Sequence, residues 1–126
     1  MEDMIKMLAD APEEQRLQMV TERVKMIAGQ PDEQRVQSVK GMVTAIFKLD
    51  EKKIGPFIKT RTKAILSLSP EERMAMMVAR AKAGPHLPEN VNRGDMKHTM
   101  ASIMEYPEDK QMAFREGLKK AFDLLD

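Results

Sequence analysis

A nineteen-residue recurrence constrains this chain more than any other feature. Pro12-Glu13-Glu14-Gln15-Arg16-Leu17-Gln18-Met19-Val20 returns as Pro31-Asp32-Glu33-Gln34-Arg35-Val36-Gln37-Ser38-Val39. Related openings stand at Ser69-Pro70-Glu71-Glu72-Arg73 and Tyr106-Pro107-Glu108-Asp109-Lys110. The apolar positions step with them: Leu17, Val20, Val24 and Ile27 become Val36, Val39, Val43 and Ile46. Such spacing, three then four then three residues, draws one stripe along an α-helix. Extending the ruler reaches Ile58 and Ile65, then Met74, Met77 and Ala81, then Met96, Met100 and Ile103. Ten of the sixteen stripe positions beyond the two defining units are apolar, in a chain that is 42% apolar overall, so the period continues. In the last unit it slips, and Phe114, Leu118, Ala121, Phe122 and Leu125 make the better stripe.

The punctuation between stripes has physical causes. Proline suits the first position of a helix, where its missing N–H has no partner to lose. The acidic residues that follow it favour the positive end of the helix dipole. Ser69 with Glu72 three residues on spells a capping box. Gly29 and Gly84, each followed by proline within two positions, read as left-handed helix ends. The ruler therefore predicts six helical units starting near Pro12, Pro31, Asp50, Pro70, Pro88 and Pro107. Each would hold about fifteen helical residues, ~22 Å long, and a turn of about four, short enough to make neighbours antiparallel.

Two units read less regularly. Residues 50–56 suggest one capped turn, a break at Gly55-Pro56, and a helix restarting through Leu68, because proline inside a helix loses a hydrogen bond and clashes with the preceding turn. Residues 85–94 read as the longest connection, with Arg93-Gly94-Asp95 as a turn and Asp95 capping a helix from there to Glu105. At the start, Met1, Met4, Ile5 and Leu8 share one helical face, either a short helix docked on its own domain or an arm over 1–11. No stretch alternates with a period of two long enough for a sheet strand. The expected fold is all-α, a single domain over 1–126: three α-hairpins in a compact bundle or a short right-handed solenoid. A 38-residue helix pair resembles, in architecture alone, the unit of the HEAT-like α-helical repeats. That resemblance implies an extended surface open to a partner. Signature residues of the tetratricopeptide, ankyrin or armadillo consensus are not present.

Composition narrows the function classes. The chain has no cysteine, which removes disulfides, thiolate zinc sites and cysteine nucleophiles together. Its net charge of +1 gives no bulk attraction to nucleic acid or anionic lipid. The longest apolar run, Met74 to Ala79, is six residues, whereas a spanning helix needs ~20. The acidic start Met1-Glu2-Asp3 lacks the basic and apolar regions of a secretory signal, so a cytoplasmic protein with no membrane role is expected. His86 and His98 are twelve residues apart and lack the spacing that places two metal ligands on one helix face. The acidic pairs Glu13/Glu14, Asp32/Glu33 and Glu71/Glu72 are explained by helix starts. With no glycine-rich phosphate loop, nucleophile elbow or calcium loop, no metal, cofactor or enzymatic activity is expected.

Two features remain as candidate sites. Thirteen methionines are unusual for this length, and Met74, Met76, Met77, Met96, Met100 and Met104 gather on the fourth and fifth units. Methionine fills irregular cores, and it also lines adaptable grooves for partner helices. Rimmed by Arg73, Arg80 and Lys97, these six make the leading candidate surface for a protein partner or a second copy in a homodimer. Separately, residues 48–63 carry six basic side chains against Asp50 and Glu51. Lys52, Lys53, Lys59, Arg61 and Lys63 are the candidates for holding a phosphate or nucleic-acid backbone, although only Phe57 accompanies them for stacking. The leading expectation is a non-enzymatic protein–protein interaction module; the alternative is a nucleic-acid- or phosphate-binding regulator.

Overall fold

The computed structural model describes residues 1–125, and among them every regular element is helical. The α-helices are α1 (Glu2–Ala9), α2 (Glu13–Ala28), α3 (Asp32–Ile46), α4 (Glu51–Leu66), α5 (Pro70–Ala83), α6 (Glu89–Ile103) and α7 (Glu108–Asp123). A short 3-10 turn, Gly84–His86, follows α5. The nineteen-residue ruler places six of the seven starts. Pro12, Pro31, Pro88 and Pro107 each cap a helix from the position just before it, while Pro70 is the first residue of α5. At Ser69 the capping box is complete: its hydroxyl accepts from the Glu72 amide at 3.2 Å, and the Glu72 carboxylate accepts from the Ser69 amide at 3.1 Å.

Three local expectations need correction. First, α4 is continuous, with Pro56 inside it. The residue before a proline is pushed out of the helical region by contact with its own Cβ; Gly55 has none, so the helix passes through at the loss of one hydrogen bond. Second, α6 starts at Glu89, so Arg93-Gly94-Asp95 is helical and Asp95 is buried mid-helix rather than a cap. Third, neither Gly29 nor Gly84 is left-handed; their φ values are −85° and −50°. After α2 the chain tightens into short turns instead, Gly29 N–H to Met26 O and Gln30 N–H to Ile27 O. At Gly84 the demand is for space, since a Cβ would lie 3.3 Å from Asn92 Oδ1.

Each helix packs most closely on the one two places along: α1 on α3, α2 on α4, α3 on α5, α4 on α6 and α5 on α7. Successive helices touch much less, although α2 also meets α5. The odd-numbered helices thus form one row and the even-numbered ones a second. A helix inside a row is covered on two flanks and needs more than one stripe. Ruler positions Val20, Val39, Ile58 and Met77 are buried, as are Val24, Val43, Thr62 and Ala81. The inner helices add a second set, including Met42 and Ala45 on α3, Phe57 and Ala64 on α4, and Met76 and Ala79 on α5. The end helices bury one side only, Ile5 and Leu8 on α1 and Phe114 and Ala121 on α7.

The first ten residues fold onto this chain. Ile5 and Leu8 are fully buried against the main core, and burying each contributes roughly 1.5–3 kcal/mol. Polar contacts fix the position of α1: Lys53 pairs with Asp10 at 2.6 Å, Lys48 with Glu2 at 3.1 Å, and Arg16 donates to the Ala9 carbonyl at 3.3 Å. A second, smaller apolar cluster of Met77, Ala81, Ile103, Phe114 and Ala121 joins α6 and α7 to α5.

Candidate functional site

Between α4 and α6 a buried polar cluster interrupts the apolar packing. Arg61 on α4 donates to Asp95 Oδ1 at 2.8 Å and to Thr99 Oγ1 at 2.7 Å, both on α6. Arg80 on α5 donates to Asp95 Oδ2 at 2.7 Å and to Asn92 Oδ1 at 2.6 Å. One turn on, the Thr62 and Ser102 hydroxyls share a hydrogen bond of 2.6 Å. Asp95 is 1% exposed and Arg61 7%, so two guanidinium groups and one carboxylate share the interior with a net charge of +1. Among the described residues the only buried side-chain nitrogen or oxygen without a partner is Arg35 Nε, so no fully buried atom of this cluster is left unpaired. Burial pushes the Asp95 carboxyl up, but Arg61 and Arg80 outweigh it and hold the group below the ordinary carboxylate range. Asp95 is therefore a fixed counter-ion near neutral pH, with no readiness to exchange a proton. The sequence carries a trace of this seam: Asp95, Thr99 and Ser102 lie four and three residues apart, one helix face beside the apolar stripe Met96, Met100 and Ile103.

The six methionines divide. Met76 and Met77 are core, Met74, Met96 and Met100 are half-buried, and Met104 is open to solvent. Met76 and Met77 meet Met96 and Met42 around a partly enclosed cavity of about 60 Å³ at the junction of α3 to α7. The structure thus brings three of the six together around this cavity, and Arg80, expected on the rim, is tied to Asp95.

The basic segment is largely neutralised. Lys53 pairs with Asp10, Lys59 with Glu105 at 2.8 Å, and Arg61 is buried against Asp95. Donation to the Asp10 and Glu105 carboxylates holds the Lys53 and Lys59 ammonium groups above their ordinary range. Lys52 and Lys63 are exposed and remain open to an external anion. His98 lies half-buried on α6 with its ring centroid 6.3 Å from that of Phe47, and His86 is exposed. Among the described residues no three His, Asp or Glu side chains converge as a metal site requires, and no helix is long and apolar enough to cross a membrane.

Exposed large apolar side chains are most frequent along and beside α7. Of the eight large hydrophobic residues exposed among those described, Met104, Met112, Phe122, Leu124 and Leu125 belong to the α6–α7 turn, α7 and its C-terminal extension. Leu124 is 70% exposed. Arg115 on α7 reaches the Met104 sulfur at 3.5 Å, which ties that side chain to the same end. Only Met104 of this group was among the six methionines singled out. The slipped stripe of the last unit held the missing signal, since Phe122 and Leu125 belong to it yet stay outside the core. No family model, curated protein or solved structure matches this chain.

Proposed function

We propose that this protein is a non-enzymatic helical module that works by protein–protein contact, through the end of the stack formed by α7 and the α6–α7 turn. The observation that carries this reading is the concentration of exposed apolar side chains there, Met104, Met112, Phe122, Leu124 and Leu125. Isolated exposed hydrophobic residues are ordinary, whereas several at one end mark a contact surface. The repeat supports the same reading. Helices α3, α4 and α5 are covered by neighbours two places away on both sides, whereas α1, α2, α6 and α7 each have one, and of these α7 carries the most exposed large apolar side chains. A stack ended in this way presents its last helix to whatever continues it. The partner surface moves from the methionines of α5 and α6 to Met104 and α7, because Met76 and Met77 are taken up by the core.

The test is photo-crosslinking from position 112 or 122 in cells, with exposed Glu22 on α2 as the control position. Discrete adducts from 112 and 122, absent from 22 and lost on Leu124→Glu, are the expected outcome. Circular dichroism of Leu124→Glu should match the wild type, since the side chain touches no core cluster. Identical adducts from all three positions, or none from 112 and 122, would overturn the reading. Adduct mass separates a second copy from another protein.

A further inference from the structure

The cavity at the junction of α3 to α7 has no part in the contact surface and calls for its own account. Its volume is about 60 Å³, where one water-sized sphere needs ~10–15 Å³. The wall is almost wholly carbon and sulfur, contributed by Met42, Met76, Met77, Met96, Phe114 and Leu118 among others. Polar residues approach it, but their hydrogen-bonding atoms are committed elsewhere. Arg61 and Arg80 are turned onto Asp95, Thr62 is bonded to Ser102, and Thr99 donates to the Asp95 carbonyl while accepting from Arg61. A water needs two to four polar partners to be held, and an apolar void of this kind favours an apolar occupant instead.

We propose that this methionine-lined cavity is a binding site for a small, uncharged, apolar molecule. A cation is excluded by the net positive charge of Arg61, Arg80 and Asp95 beside the wall, and an uncharged guest is favoured over any ion because the wall is almost wholly apolar and would not replace an ion's hydration. Size follows from the comparison with engineered cavities of ~150 Å³, which take benzene or xenon: at about 60 Å³ this site accepts a guest of one to a few heavy atoms as it stands. Four unbranched methionine side chains can change rotamer and enlarge it at little cost. This gives the unusual methionine content a role that core filling by leucine would not supply.

Xenon is the probe, read by NMR of carbon-13 methionine methyl groups in the full chain. Expected are saturable shifts of the Met42, Met76, Met77 and Met96 methyls, with the exposed Met1, Met7, Met26, Met104 and Met112 methyls unmoved. Methanol at the same concentration, similar in size but polar, should leave all of them in place. Val43→Ile and, separately, Val39→Ile add a methylene to the wall and should weaken xenon binding at least tenfold in whichever folds as the wild type. Shifts that fail to saturate or spread equally to the exposed methyls, a matching response to methanol, or unchanged binding in the filled variants would each overturn the proposal.

Discussion

Removing the charge of Asp95 while keeping its shape strands two guanidinium groups in the interior. Breaking a buried pair from one side costs about 3–5 kcal/mol, because the remaining charge keeps its desolvation penalty. Asp95→Asn should therefore lower the unfolding free energy read from a urea titration at neutral pH by an amount of that order. The acid dependence fixes the cause. The folded-state carboxyl titrates below its unfolded value, which is ~3.9, so its contribution is fully present above about pH 4 and is lost as pH falls through the folded value. Wild-type stability should fall below about pH 4 more steeply than that of Asp95→Asn, and parallel curves would assign the acid loss to other carboxylates. A second residue-scale test concerns Gly94, where an added Cβ would sit 2.9 Å from Phe47 Cε2. Alanine gains ~1 kcal/mol of helix propensity, but overpacking costs about 1–3 kcal/mol. Gly94→Ala should be net destabilising by thermal unfolding, and Phe47→Leu should relieve most of the loss.

At the scale of the element, α4 shows how two residues that each disfavour a helix can sit in it together. Gly55→Ala with Pro56 retained sets helix propensity against the pre-proline clash. In a Pro56→Ala background only the propensity gain remains, since the nearest neighbour of the new Cβ is His98 Nδ1 at an ordinary 3.6 Å. A double-mutant cycle by chemical denaturation should show Gly55→Ala more favourable by about 1 kcal/mol or more without the proline, and an additive cycle would remove the coupling. The same element marks what was legible in the sequence. Starts and stripes could be read because each unit repeats one local physical solution, proline, acids, then apolar residues at helical spacing. The second buried faces of α3, α4 and α5 were not, because they arise from packing two helices along, which no local spacing records. Asp95 was misread because an acid after glycine has the local look of a helix cap, and its partners Arg61 and Arg80 are thirty-four and fifteen residues away. Arg61 joined a basic surface in the reading for the same reason. Of the six methionines, Met76 and Met77 are buried, Met74, Met96 and Met100 half-buried and Met104 exposed, a division set by the neighbouring row and not by local spacing.

Across the whole molecule, the two apolar clusters and the polar seam between them divide the stability unevenly. The larger core joins α1 to α5 and reaches only Val91 of α6 at its edge. The smaller one holds α6 and α7 through Met77, Ala81, Ile103, Phe114 and Ala121. Across the seam, α6 meets α4 through the buried polar pairs Arg61–Asp95, Arg61–Thr99 and Thr62–Ser102, with apolar packing at its edges from Val91 and Leu66. Apolar burial supplies most of the net driving force in folding, and a satisfied hydrogen bond contributes only ~1 kcal/mol. The α6–α7 unit should therefore open before the rest. Native-state hydrogen exchange should show amides of Phe114 to Ala121 exchanging through a sub-global opening, while those of Val20 to Ile27 and Val39 to Ile46 wait for global unfolding. Asp95→Asn should lower protection in α6 and α7 more than in α2, because the broken pairs lie on the seam itself. Equal protection in α7 and α2, together with a uniform response to Asp95→Asn, would mean that the two clusters unfold as one. Such an outcome would also remove the reason to regard the exposed end as separable from the stack that carries it.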